Sequence, residues 1–167
     1  MSLFGKPITE ISFEDIENFC AEKHPENVRL DYKEAFSSGS DSAQMAKLAC
    51  AFANAYGGLV LLGVKEEKQK DGRGIPTAIP GVAEDLKPGE RIKQICLDNI
   101  TPPLIPEVES VPIPDSASVV VVVRVGESDQ TPHFMRETGR VYVRLTIFRI
   151  WRKMARKHLR PTSSGFD

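Results

Sequence analysis

Three carboxylates in this sequence have a spacing that suggests chemistry. Glu26 stands just before a predicted first strand, Asp31 stands within it, and Glu66 stands just past the end of a second predicted strand. If the two strands are neighbours, the three carboxylates converge at one end of the sheet. Such a cluster binds Mg²⁺ or Mn²⁺ through oxygen ligands and supports phosphodiester hydrolysis, because the metal activates water and stabilises the leaving oxygen. The alternative is chance placement, since the chain holds 23 acidic residues.

A basic row near the C-terminus is the second candidate site. Residues 140–147 alternate, which predicts a strand with Arg140, Tyr142 and Arg144 facing outward. The alternate residues, predicted to face inward, are Val141, Val143, Leu145 and Ile147. Two guanidinium groups beside an aromatic ring suit a nucleic-acid backbone with one stacked base. An ordinary solvated strand face is the competing interpretation.

The charge distribution also points to an anionic partner. The formal net charge is −1, but residues 136–167 carry +7 and the remainder of the chain therefore carries −8. Such asymmetry between the two ends of a chain is typical of proteins that contact nucleic acid. A solvated basic helix that binds nothing explains the same charges.

One helix and one strand must position these residues. Ser40, Asp41 and Ser42 are suited to cap a helix that runs to Tyr56 and ends at Gly57-Gly58, because glycine adopts a positive φ without a Cβ clash. Its predicted apolar stripe contains Met45, Leu48, Ala49, Phe52, Ala53 and Tyr56. Residues 59–64 then form a continuous apolar run, the pattern of a strand buried on both faces.

The other elements complete an α/β (α+β) domain with a mixed sheet packed against helices. Helices are predicted at residues 11–20, where Ser12 is the cap, and at residues 88–100. Strands are predicted at residues 29–36, 107–113, 119–125 and 140–147, with a loop at 66–74 and at most an edge strand at 75–82. Residues 1–10 are expected to be a poorly ordered leader, residues 11–148 the domain, and residues 149–167 a basic helix and tail.

Composition limits the compartment and the cofactors. The chain has no apolar run near the roughly 20 residues that span a bilayer, so we expect no membrane partner. The N-terminus lacks a hydrophobic signal core, and Cys20, Cys50 and Cys96 show no metal-binding spacing. These features predict a cytoplasmic protein with free thiols and no zinc site. The three histidines are scattered along the chain and are expected at the surface.

Two motifs resemble the signature of the Schlafen-type AlbA domain. They are ENVRLDYK at residues 26–33 and KLACAFANAYGGLVLLGVKE at residues 47–66. The stretch PHFMRETGRVYVR at residues 132–144 is similar to the closing segment of that family. The resemblance covers roughly residues 10–148. Asp31 stands where the family usually has glutamate, and Glu66 stands where it usually has aspartate.

The resemblance implies nucleic acid as the partner. Bacterial and archaeal members are usually described as DNA-binding domains of transcriptional regulators, sometimes as divergent ATP-binding domains. The related core of animal Schlafen proteins binds RNA, and some members cleave transfer RNA with three acidic residues. Transferred by motif position, those residues are Glu26, Asp31 and Glu66.

Three functions therefore remain open at this stage. The first is a nucleic-acid-binding module, a regulator of transcription that acts through phosphate contacts of Lys33, Arg140 and Arg144, with Tyr142 as a stacking platform. The second is a ribonuclease for structured RNA in which the three acids hold Mg²⁺ or Mn²⁺ and Lys33 steadies the phosphate. The third is an oligomerisation module, for example a homodimer formed through the basic tail.

Overall fold

The computed structural model of this chain describes residues 3–36 and 39–145. The helices are α1 (Phe13–Ala21), α2 (Gly39–Ala53) and α3 (Pro88–Asn99), with short 3₁₀ helices at Leu3–Gly5, Ile8–Glu10 and Glu84–Leu86. The strands are β1 (Leu30–Lys33), β2 (Gly58–Leu62), β3 (Lys65–Lys68), β4 (Gly74–Ala78), β5 (Val82–Ala83), β6 (Ile100–Thr101), β7 (Glu107–Pro112), β8 (Ser118–Val125) and β9 (Phe134–Met135). The basic helix and tail predicted after residue 148 lie outside the described residues.

The main sheet is mixed, as predicted. β1 pairs in parallel with β2, with Asp31 opposite Val60, which confirms that the first two strands are neighbours. β8 pairs antiparallel with β2, β5 and β7. β3 and β4 form a separate hairpin, and β6 pairs with β9.

Alternation along the strands divides the interior between the two faces of the sheet. Val60 and Leu62 belong to the cluster that includes α2 and α3, whereas Leu59 and Leu61 belong to the cluster that includes α1. Successive strand residues point to opposite faces, and both faces are covered by helices. All five residues of β2 are consequently buried.

The diglycine connection between α2 and β2 forms as the sequence predicts. Gly57 has a φ of +67°, and its N–H donates to the Phe52 carbonyl at 2.9 Å, which closes the helix C-terminus. The predicted apolar stripe of α2 is buried as far as Ala53. Tyr56 is the exception at 61% exposure, because α2 ends at Ala53 and helical periodicity does not extend beyond it.

Two segments differ from the sequence-based expectation. Residues 66–74, expected to be a loop, contribute most of β3 and the tight turn to β4. The segment expected to be a poorly ordered leader contains two 3₁₀ helices with buried Leu3 and Ile8. Arg124 donates to the carbonyls of Leu3 and Lys6 at 3.0 and 2.7 Å and so holds this segment against β8.

The three cysteines are free, in agreement with the predicted free thiols, and all three are buried. None of the helices in the described part of the chain combines the length and the apolar character needed to cross a bilayer.

Substitution of Asp15 by asparagine is expected to destabilise the protein in a pH-dependent manner. Lys6, followed by the N–H and hydroxyl of Ser12 in the capping box of α1, holds the pKa of Asp15 well below its ordinary value of 3.8. A lowered folded-state pKa contributes stability above the unfolded-state pKa, and this contribution disappears as the pH falls towards the folded-state value. Thermal unfolding should therefore show a lower Tm for Asp15→Asn at pH 7 and a smaller difference at pH 2–3. Glu14→Gln, which removes a neighbouring charge outside the capping box, is the control, and an Asp15→Asn deficit independent of pH would contradict the prediction.

Candidate functional site

Glu26 and Glu66 meet at the outer edge of β1, with Lys68 between them. Lys68 Nζ lies 2.7 Å from Glu26 Oε2 and 2.6 Å from Glu66 Oε1. Glu26 also accepts the backbone N–H groups of Tyr32 at 3.2 Å and Gly74 at 3.1 Å. The pairing of β3 with β4 places Glu66 beside Lys68 and Gly74, so the hairpin brings two of the three predicted carboxylates together.

The pKa values of the two carboxyl groups in this pair are shifted in opposite directions. Burial raises the pKa of Glu66; the hydrogen bond from Lys68 opposes this shift, and the neighbouring Glu26 adds to it. Burial acts upward on Glu26 as well, but the hydrogen bonds from Lys68, the Tyr32 N–H and Glu66 outweigh it and hold the pKa of Glu26 at about 2. As the pH falls, Glu66 therefore takes up a proton before Glu26 does.

Asp31 lies on the opposite face of β1 from this pair. Its neighbours Leu30 and Tyr32 pack in the α1 cluster, so alternation turns the Asp31 side chain towards the α2 face. There Asp31 Oδ1 accepts from Arg144 Nη1 at 2.8 Å, and Asp31 Oδ2 pairs with Lys33 Nζ. Arg144 also donates to the carbonyls of Asn27 and Leu30, and its guanidinium lies 5.1 Å from the centroid of the Phe52 ring.

The predicted metal centre does not fit this arrangement. Within residues 3–36 and 39–145, no group of three His, Cys, Asp or Glu side chains is placed to hold a metal ion. Glu26 and Glu66 converge, but Asp31 points to the other face and is bound by protein cations. Side-chain alternation along β1 is the physical reason. Successive residues of a strand point to opposite faces, so Asp31 faces away from the side on which Leu30 and Tyr32 pack.

The predicted basic row keeps its alternating period, but the apolar residues that were predicted to face inward are exposed. Residues 140–145 run outside any strand of the structure, with Val141, Val143 and Leu145 exposed at 49%, 47% and 55%. Tyr142 instead packs against the α2 cluster, and the Arg144 side chain is only 15% exposed. Alternation determines which residues share a face but not which face is buried. Here the carboxylate of Asp31 draws Arg144 inward.

Asn54 and His133 form a structural clamp that the sequence interpretation missed. Asn54 Oδ1 accepts the His133 N–H at 2.7 Å, and Asn54 Nδ2 donates to the carbonyls of His133 at 2.8 Å and Tyr142 at 2.9 Å. His133 was expected at the surface but is 1% exposed. Its Nδ1 lies 2.9 Å from the Pro102 carbonyl, which only accepts, so Nδ1 carries a proton and Nε2 faces the Ser128 hydroxyl at 2.7 Å. Asn54 itself was the signal in the sequence that could have indicated this clamp, because it is a polar residue that follows the apolar C-terminal turn of α2.

The clamp holds the backbone of Tyr142, which lies beside an exposed basic surface. We call this surface, made of Lys47, Arg140 and Tyr142, the Lys47–Arg140 surface. Lys47, exposed on α2, places its Nζ 5.9 Å from the centroid of the Tyr142 ring. Arg140 is exposed two residues before the ring, and the structure gives its guanidinium no ion pair with another described residue.

Comparisons with known proteins agree with the fold. The Schlafen, AlbA_2 family profile matches residues 26–146, well over half of the chain. The solution NMR structure of the N-terminal domain of a RecG-related protein from Nitrosomonas europaea is similar with a TM-score of 0.57 and 24% identity, over 81% of this chain and 89% of that one. A crystal structure from Corynebacterium diphtheriae matches with a TM-score of 0.49 and 17% identity, over 78% of this chain and 27% of that one. No curated protein matches.

The matched region contains every residue of the candidate site, from Glu26 before β1 to Arg144 beside Asp31. It spans the main sheet, the β3–β4 hairpin and the residues fastened by Asn54. The chain therefore belongs to the Schlafen, AlbA_2 family.

Proposed function

We propose that this domain binds nucleic acid through its sugar–phosphate backbone, with little sequence preference. The Lys47–Arg140 surface is the observation that carries the proposal. The exposed Lys47 lies over the half-buried ring of Tyr142 there, and the exposed Arg140 stands two residues before that ring in the chain; this combination suits phosphates with one stacked base. Membership of the Schlafen, AlbA_2 family supports nucleic acid as the ligand. The similar Nitrosomonas domain comes from a protein whose name relates it to an ATP-dependent DNA helicase. DNA is a ligand of the class that we propose here.

The sequence-based set of contact residues changes in this proposal. Arg144 is bound to Asp31, so we assign it to positioning residues 140–145 rather than to phosphate contact. Lys33 is half-buried and also bound to Asp31, so its contribution is secondary. Lys47 joins the set, because its ammonium group lies over the Tyr142 ring. The basic residues beyond 145 add non-specific attraction through their charge, and regulation of transcription is the biological role that we propose for such binding.

Removal of Lys47 or Arg140 is expected to weaken binding by a similar factor for every sequence tested. Each cation that no longer neutralises a phosphate should lower the slope of log K against log salt concentration by about 1. Fluorescence anisotropy with single- and double-stranded DNA and RNA, at several salt concentrations, measures this slope for Lys47→Ala and Arg140→Ala.

Lys23→Ala is the matched control, because Lys23 follows α1 on the opposite face of the sheet. It should reproduce the wild-type slope. A wild-type slope near zero would contradict the whole proposal, whereas variants that keep the wild-type slope would remove these two residues from the contact surface.

Ribonuclease activity and homodimer formation stay predictions of the sequence. We do not extend the proposal to cleavage, because the three carboxylates do not converge. Incubation of the protein with transfer RNA and Mn²⁺, beside an Asp31→Ala variant, tests cleavage directly. Size-exclusion chromatography with and without residues 149–167 tests the homodimer.

A further inference from the structure

Each of the three carboxylates that the sequence offered as metal ligands is already bound by a cation of the protein. Lys68 bridges Glu26 and Glu66 at 2.7 and 2.6 Å. Arg144 binds Asp31 at 2.8 Å, and Lys33 binds its second oxygen. Lys68 and Arg144 come from segments distant in sequence, the β3–β4 hairpin and residues 140–145.

An ammonium group between two carboxylates competes with a divalent ion for the same oxygens. Mg²⁺ and Mn²⁺ need several carboxylate or water oxygens in close contact, and the Lys68 N–H groups point at those of Glu26 and Glu66. Both Glu26 oxygens are engaged, because Oε1 accepts from Tyr32 and Oε2 from Lys68 and Gly74. Glu66 Oε1 pairs with Lys68, so Glu66 Oε2 is the one buried oxygen of the pair that accepts no N–H from a described residue. One open oxygen does not make a chelating site.

These side chains also protect the outer edge of β1. Tyr32 N–H donates to Glu26, the Leu30 carbonyl accepts from Arg144, and the Tyr32 carbonyl accepts from Lys33. An edge strand needs partners for these groups, and charged side chains supply them here in place of another strand. The carboxylates hold the β3–β4 hairpin and residues 140–145 against this edge.

We propose that Lys68, between Glu26 and Glu66, and Arg144, on Asp31, are built-in cations that satisfy these carboxylates in place of divalent ions. The site is a structural fastening between β1, the β3–β4 hairpin and residues 140–145, complete without a metal. This inference is independent of the proposed nucleic-acid binding, which uses the Lys47–Arg140 surface.

Mn²⁺ binding to wild type and to a Lys68→Met variant tests the inference. Methionine keeps an unbranched side chain of similar length but removes the charge, so it leaves Glu26 and Glu66 facing each other with no cation between them. We expect no saturable Mn²⁺ binding to wild type by isothermal titration calorimetry, and no change in its Tm on adding Mn²⁺ or EDTA. Lys68→Met should show saturable Mn²⁺ binding in the same titration, a gain of at least about tenfold in affinity, since a nearby charge shifts such equilibria by one or more log units. Its Tm should then rise with Mn²⁺ concentration.

Lys70→Met in the turn of the same hairpin is the matched control and should behave as wild type. Lys68→Gln, which keeps hydrogen-bond donors without a charge, provides a second variant if Lys68→Met does not fold, as judged by circular dichroism. Saturable Mn²⁺ binding to wild type that Glu26→Gln abolishes would overturn the inference. A folded Lys68 variant that gains no Mn²⁺ affinity would overturn it as well.

Discussion

Replacement of Asn54 by aspartate should lower the free energy of unfolding by about 2–4 kcal/mol, or roughly 5–15 °C in Tm. The amide donates to the carbonyls of His133 and Tyr142 at 2.8 and 2.9 Å. An aspartate of the same shape has no N–H to donate and would direct an acceptor at two other acceptors. The partly buried carbonyls of His133 and Tyr142 would lose this donor, and the attachment of residues 131–145 to α2 would weaken.

Chemical denaturation of Asn54→Asp and Asn54→Ala, with Asn99→Asp as the control, measures this effect. Asn99 makes one side-chain hydrogen bond, to the Ile95 carbonyl at 2.8 Å, so its substitution should cost only about 1 kcal/mol. Residues 140–145 in Asn54→Asp should also become more sensitive to proteolysis. Equal costs at the two positions would show that the clamp contributes no more than a single ordinary hydrogen bond.

Substitution of Gly57 by alanine is the second change with a large expected effect, about 2–5 kcal/mol. A left-handed backbone costs about 1–2 kcal/mol once a Cβ is present, and the φ of Gly57 is +67°. The added Cβ would also stand 2.7 Å from the Val125 carbonyl oxygen and 2.9 Å from the Glu127 nitrogen. These are backbone atoms of the chain leaving β8, so the overlap costs a further 1–3 kcal/mol or so.

Two other glycines separate the two contributions. Gly72 has a φ of +85° with nothing within 4 Å of an added Cβ, so Gly72→Ala measures the backbone cost alone. Gly126 has neither a positive φ nor a close neighbour, so Gly126→Ala should be nearly neutral. We expect thermal unfolding to rank the variants Gly57→Ala, Gly72→Ala and Gly126→Ala in order of decreasing destabilisation. If Gly57→Ala is no worse than Gly72→Ala, the close approach of β8 is not a constraint.

Some features of the candidate site follow from sequence patterns and others do not. The adjacency of β1 and β2 was predictable, because consecutive strands separated by one helix commonly pair in parallel. The meeting of Glu26 with Glu66 followed in part from that adjacency. The separation of Asp31 from this pair was not anticipated, although it follows from side-chain alternation in β1 once the pair is known to lie at the strand's outer edge.

Residues 140–145 are a second case in which the sequence pattern did not predict which side chains are buried. Their period is evident in the sequence, yet Val141, Val143 and Leu145 are exposed and Tyr142 and Arg144 are partly buried, while Arg140 stays exposed. An apolar row is normally buried because its transfer from water is favourable, and that rule favoured Val141 and Val143. Burial of Arg144 is possible only because Asp31 and two carbonyls satisfy it, and these partners come from a segment over 100 residues earlier.

The amino-acid sequence by itself determined the local elements of this protein: the helix α1 with its Ser12 cap, the glycine-terminated α2, the buried strands β2 and β8, and the membership of a mixed α/β class. These depend on propensity, periodicity and backbone freedom within about 20 residues. Only the tertiary structure decided the partners of the charged and polar side chains. Lys68 between two glutamates, Arg144 on Asp31 and Asn54 on His133 are contacts between distant segments, and the cost of burying a polar group is met by whichever partner the fold brings within about 3 Å.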